Sequence, residues 1–118
     1  MLFIGYPGCS TSQRAKKFLD EEKIDYTQRN IREENPTAEE LDRWQRASGL
    51  PMTRWFNTSG QLYRSLGLKD KLAGMSREEQ LELLAGDGML VRRPILVGDS
   101  FVLVGFRQEE WERQLSGK

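Results

Sequence analysis

The N-terminal stretch of the chain, LFIGYPGCSTS, places the only cysteine between an apolar run and a helical pattern. The apolar run over residues 2–6 is typical of a β-strand, and Pro7 and Gly8 predict the turn that ends it. From residue 10 to residue 22 the apolar side chains recur at helical spacing among charged ones, which predicts an amphipathic helix. A strand and a turn therefore deliver Cys9 to the start of a helix.

The position of Cys9 favours a reactive thiol. At a helix N-terminus the first backbone N–H groups are unpaired and the helix dipole is positive, so a thiolate is stabilised there and becomes a better nucleophile. The alternative is a small buried hydrophobic residue, which is what most free cysteines are. Because Gly8 and residues 10–12 are small or polar and offer no apolar pocket, we favour the reactive thiol.

Length and composition predict one compact α/β domain over residues 1–118. The chain has 118 residues, of which 37% are hydrophobic, enough for a single core. No apolar run is long enough to span a membrane, and the N-terminus lacks a signal-peptide pattern. One cysteine cannot form an internal disulfide, which fits a reducing compartment. We therefore expect a soluble cytoplasmic protein without a membrane partner.

Charge and residue types exclude several kinds of chemistry. The 18 basic and 18 acidic residues balance, so there is no global field to attract nucleic acid, and we expect no direct nucleic-acid binding. The chain has no histidine, the commonest general base and metal ligand. A single cysteine cannot form a zinc cluster. We therefore predict no metal site and no hydrolytic triad.

The rest of the chain reads as alternating strands and helices. A strand over 24–31 is followed by a helix that a Thr37/Glu40 capping box opens and Gly49 ends. Helical turns follow near 53–56, 61–66 and 69–72, and a Ser76/Glu79 capping box opens a helix that ends at 86–88. Strands at 95–97 and 101–104 form a hairpin, and a helix over 108–116 comes last. This order predicts a mixed four-stranded sheet, with a helical insertion between a β-α-β half and a β-β-α half.

A proline that opens a later strand is the second informative feature. A strand that delivers a cysteine to a helix, followed later by such a proline, is the layout of a thioredoxin-type fold, and Pro94 is that proline. Arg92 and Arg93 precede it, and arginine offers a fixed charge and two parallel donors to an oxyanion or carboxylate. We expect Arg93 to act in function, and Arg92 to cap the preceding helical region or to face water.

Four sequence features, in chain order, carry a family resemblance. They are Tyr6-Pro7-x-Cys9-x-Thr11-Ser12, Asn30-Ile31 with Pro36-Thr37 and Glu40-Leu41, Phe56-Asn57-Thr58-Ser59-Gly60 with Tyr63, and Met89-Leu90-Val91 before Arg92-Arg93-Pro94-Ile95. Together they resemble the ArsC/Spx family over nearly the whole chain. That family contains arsenate reductases, the Spx and MgsR regulators that bind RNA polymerase, and small reductase-like proteins, to which this chain is most similar.

The resemblance implies a set of site residues. Cys9 matches the family's nucleophile and Arg93 an oxyanion-binding arginine, with a cis bond between Arg93 and Pro94 facing Cys9. Ser12 would donate a hydrogen bond to the thiolate, and the alternative role of capping the helix N-terminus is compatible with this. The predicted substrate-binding residues are Ser10, Thr11, Asn57 and Pro94, the first two through their loop N–H groups.

Two positions depart from the family's pattern. Glutaredoxin-coupled arsenate reductases carry further arginines where this chain has Asn57 and Gly105. Arg54 and Arg107 lie nearby in the sequence and could substitute for them, although neither is in register with those positions. With one arginine at the site, each missing charged hydrogen bond costs roughly 1.5 to 3 kcal/mol. We therefore expect arsenate to be a poor substrate.

The resemblance implies a thiol oxidoreductase, similar to arsenate reductases and glutaredoxins, that acts on a small oxidised thiol or an oxyanion. No cofactor is expected, and the reductant would be a low-molecular-weight thiol such as glutathione, or glutaredoxin. Ser12 occupies the second position of the regulators' Cys-x-x-Cys pair, so no disulfide switch closes within the chain. The alternative is an Spx/MgsR-like regulator that binds the RNA polymerase alpha subunit without turnover.

Overall fold

A four-stranded mixed sheet forms the centre of the computed structural model, which describes residues 1–116. Its strands are β1 (Leu2–Gly5), β2 (Thr27–Asn30), β3 (Ile95–Val97) and β4 (Val102–Val104), in the spatial order β2-β1-β3-β4. β1 is parallel to β2 and antiparallel to β3, and β3 forms an antiparallel hairpin with β4. This confirms the predicted mixed α/β architecture.

Helices fill the connections between the strands. They are α1 (Ser10–Glu21), α2 (Ala38–Ser48), α3 (Gln61–Ser65), α4 (Leu68–Lys71), α5 (Arg77–Gly86) and α6 (Gln108–Ser116), with 3-10 helices at Met52–Trp55, Leu72–Gly74 and Gly88–Leu90. α1 links β1 to β2, and α2 to α5 form the predicted insertion before β3. In residues 1–116, no helix is long and apolar enough to cross a membrane.

The local signals for helix ends are confirmed. Thr37 Oγ1 accepts from the Glu40 N–H at 3.1 Å while Glu40 Oε1 accepts from the Thr37 N–H at 3.0 Å, and Ser76 and Glu79 form the same capping box. Gly49 ends α2 with a φ of 70°, a conformation that glycine adopts without strain. β2 is shorter than the predicted strand over 24–31 because its four residues pair with the four residues of β1.

The sheet is covered on both faces. In β1, Phe3 packs with Leu19 and Trp111 on one face, and Ile4 packs with Leu41 and Leu84 on the other. Successive residues of a strand point to opposite faces, so strands buried on both sides read as the continuous apolar runs seen at 95–97 and 102–104. The result is three layers, with the sheet in the middle.

The strand pairing brings the ends of three strands together. Because Ile4 lies opposite Ile95, the segment that follows β1 meets the segment that precedes β3. The Arg93–Pro94 peptide bond is cis, as predicted. Gly105, directly after β4, donates its N–H to the Pro94 carbonyl at 2.8 Å. The loops around Cys9, Pro94 and Gly105 therefore share one edge of the sheet.

Candidate active site

Cys9 is the N-cap residue of α1, with extended backbone angles (φ −101°, ψ 118°). Its N–H donates to the Tyr6 carbonyl at 3.0 Å, and its own carbonyl accepts from the Gln13 N–H at 3.1 Å. The backbone is thus fixed on both sides of the thiol. The half-buried side chain lines a pocket at the start of the helix.

Opposing effects act on the Cys9 thiol, and those that favour the thiolate prevail. Partial burial raises the pKa of Cys9. Hydrogen bonds from the Ser12 N–H, the Ser12 hydroxyl and the Thr11 N–H, together with the positive charge of Arg93, lower it by more. The net pKa lies below the ordinary value, in the direction expected from the sequence.

Ser12 is held beneath the thiol and is only 2% exposed. Its Oγ accepts a hydrogen bond from the Tyr6 N–H at 3.3 Å, which leaves the hydroxyl hydrogen for Cys9. The N-cap of α1 is Cys9, and no side chain caps that helix end. Ser12 lies inside the first turn of α1, so it is not the N-cap residue.

Arg93 shares the pocket with Cys9. The centre of its guanidinium lies 5.6 Å from the centroid of the Tyr6 ring, and its Nη1 donates to the Met89 and Val91 carbonyls at 3.4 Å. Its Nε is buried, and no residue in the described part of the chain accepts a hydrogen bond from it. Tyr6 thus supports Arg93, a contact that the sequence analysis missed because the two residues are joined only by the strand pairing.

The pocket is strongly cationic, with a volume of about 490 Å³. Five arginines line it with Cys9, namely Arg14, Arg54, Arg92, Arg93 and Arg107. Among the described residues, no aspartate or glutamate lines the pocket, and none of these five arginines forms an ion pair. The site therefore presents a set of unneutralised guanidinium groups beside a thiolate.

Arg92 caps a helical turn, as expected, and it also lines the pocket. Its backbone N–H donates to the Trp55 carbonyl at 2.8 Å and its Nε to the Arg54 carbonyl at 2.9 Å, so the insertion holds it at the pocket wall. Burial lowers the pKa of Arg92, and the charges of Arg54 and Arg107 lower it further. Arg54 and Arg107 are therefore each close enough to repel Arg92.

The expectation of a single arginine at the site is wrong, because five arginines line the pocket. Arg54 and Arg107 line the pocket although neither aligns with the family's arginine positions. Arg107 lies just beyond β4, at the same sheet edge as Cys9, and the predicted topology was the one signal that could have located it. Arg54 lies in the 3-10 helix Met52–Trp55, whose placement depends on packing rather than on local pattern.

The remaining predicted residues divide into two groups. Thr11 and Asn57 line the pocket, whereas Ser10 is exposed and Pro94 is buried, and neither of these two is in the lining. Within residues 1–116, no cluster of three or more histidine, cysteine, aspartate or glutamate residues could hold a metal ion.

The fold and this site define a thioredoxin-like α/β protein with a cysteine and an arginine at the sheet edge. The model of the ArsC family matches residues 4–114, and the chain belongs to that family.

The similarity to relatives and solved structures covers nearly the whole chain. The Bacillus subtilis protein YusI is 46% identical over 112 residues, 95% of each chain, and the regulatory protein MgsR from the same organism is 30% identical over 93% of this chain and 86% of its own. An ArsC family related protein from Bacteroides fragilis is 55% identical with a TM-score of 0.92, covering 95% of this chain and 94% of its own. A protein described as a possible arsenate reductase, from Streptococcus mutans, is 45% identical with a TM-score of 0.86, covering 94% and 96%.

Proposed function

We propose that this protein is a thiol oxidoreductase whose Cys9 thiolate reduces a small oxidised thiol bound among the pocket arginines. The proposal rests on one observation, the stabilised thiolate of Cys9 in the pocket. Ser12, Thr11 and Arg93 all stabilise its charged form, and it opens into a pocket that an organic substrate can enter. Membership of the ArsC family and the arsenate reductase-like solved structures support it.

The reaction would proceed by thiol–disulfide exchange. Cys9 Sγ attacks one sulfur of the substrate disulfide, the substrate S–S bond breaks, and one half departs as a thiolate while the other stays bonded to Cys9. An external thiolate then attacks this mixed disulfide and releases the Cys9 thiolate. The retained half leaves as a new disulfide with the external thiol, so the external thiol supplies the electrons.

The external thiol is required by the cysteine count. The chain has one cysteine, and the Ser12 hydroxyl cannot attack a disulfide in place of a second one. A glutathione-like thiol or glutaredoxin would act as the reductant. A thiolate of lowered pKa is also a good leaving group, so the mixed disulfide should be easily resolved. This chemistry fits a reducing compartment such as the cytoplasm.

Intact mass spectrometry tests the proposal. After treatment with oxidised glutathione, the wild type should carry one adduct, the Cys9→Ser variant none, and excess reduced glutathione should remove the adduct. A Ser10→Ala variant is the matched control, because Ser10 is exposed and outside the pocket lining. A wild type that forms no adduct, or an adduct that resists reduction, would refute the oxidoreductase function.

A regulatory function is the second candidate, and the 30% identity to MgsR favours it. In that case the protein would bind the RNA polymerase alpha subunit without turnover. A pull-down with purified alpha subunit, run beside the glutathione assay, separates the two functions. Binding without adduct turnover would support the regulator, and turnover without binding would support the reductase.

A further inference from the structure

The cationic pocket holds more charge than a small oxyanion can neutralise. One tetrahedral dianion beside Cys9 could pair with Arg93 and one neighbour, which leaves further guanidinium groups unpaired. Burial and the nearby charges of Arg54 and Arg107 already lower the pKa of Arg92, so each of these two groups repels Arg92 when nothing anionic lies between them. The buried Nε of Arg93 adds a donor that has no acceptor among the described residues.

The arginines are also spread over the pocket wall rather than gathered at one point. Arg54 comes from the insertion, Arg92 and Arg93 from the segment before β3, and Arg107 from the segment after β4. The volume of about 490 Å³ lies within the range of pockets that take drug-sized ligands. A ligand that satisfies this wall therefore has several anionic groups separated along an organic skeleton.

Building on the proposed function, we propose that the substrate is a low-molecular-weight disulfide that carries several carboxylate or phosphate groups. Its sulfur would react with Cys9, while its anionic groups pair with the guanidinium groups of Arg54, Arg92 and Arg107. Guanidinium binds carboxylate and phosphate with the same two-donor geometry, so the structure defines the charge class of the substrate. The test distinguishes the two anionic groups.

A panel of disulfides that differ in charge tests this proposal. The panel contains glutathione disulfide with carboxylates, coenzyme A disulfide with phosphates, neutral hydroxyethyl disulfide and cationic cystamine. The rate of Cys9 adduct formation with each disulfide is divided by the rate at which a small model thiol reacts with the same disulfide. This ratio removes the intrinsic reactivity of the disulfide. We expect at least one anionic disulfide to react roughly tenfold faster than the neutral one, and cystamine to be slowest. Added salt should reduce the anionic advantage.

Single arginine variants test the assignment of the wall. Arg54→Gln should slow the anionic disulfides by about tenfold, and Arg107→Gln by about threefold because Arg107 is exposed and its charge is screened. Both variants should slow hydroxyethyl disulfide less than they slow the anionic disulfides. Arg43→Gln is the matched control, because Arg43 is exposed on α2 and lies outside the pocket lining.

The outcomes separate this inference from the proposed function. Equal normalised rates across the panel would overturn the anionic substrate and leave the oxidoreductase standing. No adduct with any disulfide would overturn both. Inorganic arsenate could protect Cys9 while neither glutathione disulfide nor coenzyme A disulfide reacts faster than the neutral disulfide. That result would identify a single-oxyanion site and overturn the inference. A preference for either anionic disulfide supports it and identifies the group that is recognised.

Discussion

Ser12 combines burial with a polar function at the scale of a single residue. Replacing it with alanine removes the hydroxyl bond to Cys9 but keeps the N–H bonds of Ser12 and Thr11. The pKa of Cys9 should therefore rise relative to the wild type, and alkylation by iodoacetamide at neutral pH should be slower. The rate of alkylation against pH measures this.

The matched control for Ser12→Ala is again Ser10→Ala, which should leave the alkylation midpoint unchanged. The wild-type midpoint should lie below the free-cysteine value of about 8.5. An unchanged midpoint in Ser12→Ala would show that the hydroxyl does not act on the thiolate.

Tyr6 acts as a positioning residue for Arg93. Its ring lies against the Arg93 guanidinium, and its hydroxyl accepts from Arg32 Nη1 at 3.3 Å. Tyr6→Phe keeps the ring, whereas Tyr6→Leu removes a cation–π contact of about 0.5 to 1 kcal/mol. We expect the leucine variant to raise the pKa of Cys9 and the phenylalanine variant to match the wild type in its alkylation pH profile. Equal shifts in both variants would assign the effect to the hydroxyl instead.

Between elements, Arg29 of β2 and Glu40 of α2 form an ion pair. The two terminal nitrogens of Arg29 each donate to a Glu40 carboxylate oxygen at 2.9 Å, and the guanidinium lies 5.9 Å from the Trp44 ring. The hydrogen bonds from Arg29 outweigh burial and, with those from Thr37, hold the pKa of Glu40 at about 2. The pair ties the start of α2 to the sheet.

This lowered pKa makes the stability pH-dependent in a defined direction. Because the folded pKa of about 2 lies below the ordinary 4.5, the carboxylate stabilises the native state above pH 4.5, and the benefit is lost as the pH falls toward 2. Glu40→Gln retains a side chain suited to the capping box. It should lower the free energy of unfolding by about 1 to 2 kcal/mol at neutral pH, with the deficit vanishing near pH 2.

Urea unfolding at several pH values measures this effect. Glu79→Gln is the matched control, because Glu79 holds the same capping-box position in α5 and forms no ion pair with an arginine in the described part of the chain. Equal deficits in the two variants at neutral pH would show that Arg29 contributes nothing.

The elements that local chemistry determines were predictable from the sequence. The capping boxes at Thr37 and Ser76 and the helix end at Gly49 depend on a few adjacent residues, and all three are confirmed. The predicted β2 strand was too long, because pairing with β1 decides where the strand begins and ends. The 3-10 helix Gly88–Leu90 was not predicted, because its position follows from packing at the end of α5.

At the scale of the whole molecule, Gly88 marks a close approach between the insertion and the segment after β2. An added Cβ there would overlap the Ile31 carbonyl oxygen and lie 2.5 Å from Asn35 Oδ1. Asn35 is itself fixed, since its Nδ2 donates to the Ala85 carbonyl at 2.6 Å. Gly88→Ala should therefore destabilise the protein by about 2 to 3 kcal/mol.

Thermal unfolding measures this loss of stability. Gly86→Ala is the control, because nothing lies within 4 Å of its added Cβ, and it should be neutral or slightly stabilising. A Gly88→Ala protein as stable as the wild type would show that the segments can separate at little cost.

Only part of the candidate site could be predicted from the sequence. Cys9 and Arg93 carry local signals, a turn before a helix and a proline after an arginine, and the family resemblance strengthened both. Arg54 and Arg107 carry none, because only the assembled sheet brings their loops together. The charge of the pocket is thus a property of the topology.

The pairing of β1 with β3 also has a consequence in time. Ile4 and Ile95 come from near opposite ends of the chain, and contacts of such long sequence separation are slow to form. Until they form, Arg93 does not lie beside Cys9, and the thiolate lacks the stabilisation that the Arg93 charge adds to the hydrogen bonds of Thr11 and Ser12. Alkylation of Cys9 during refolding should therefore be slower before the sheet closes and faster afterwards. The alkylation rate then measures how far folding has been completed.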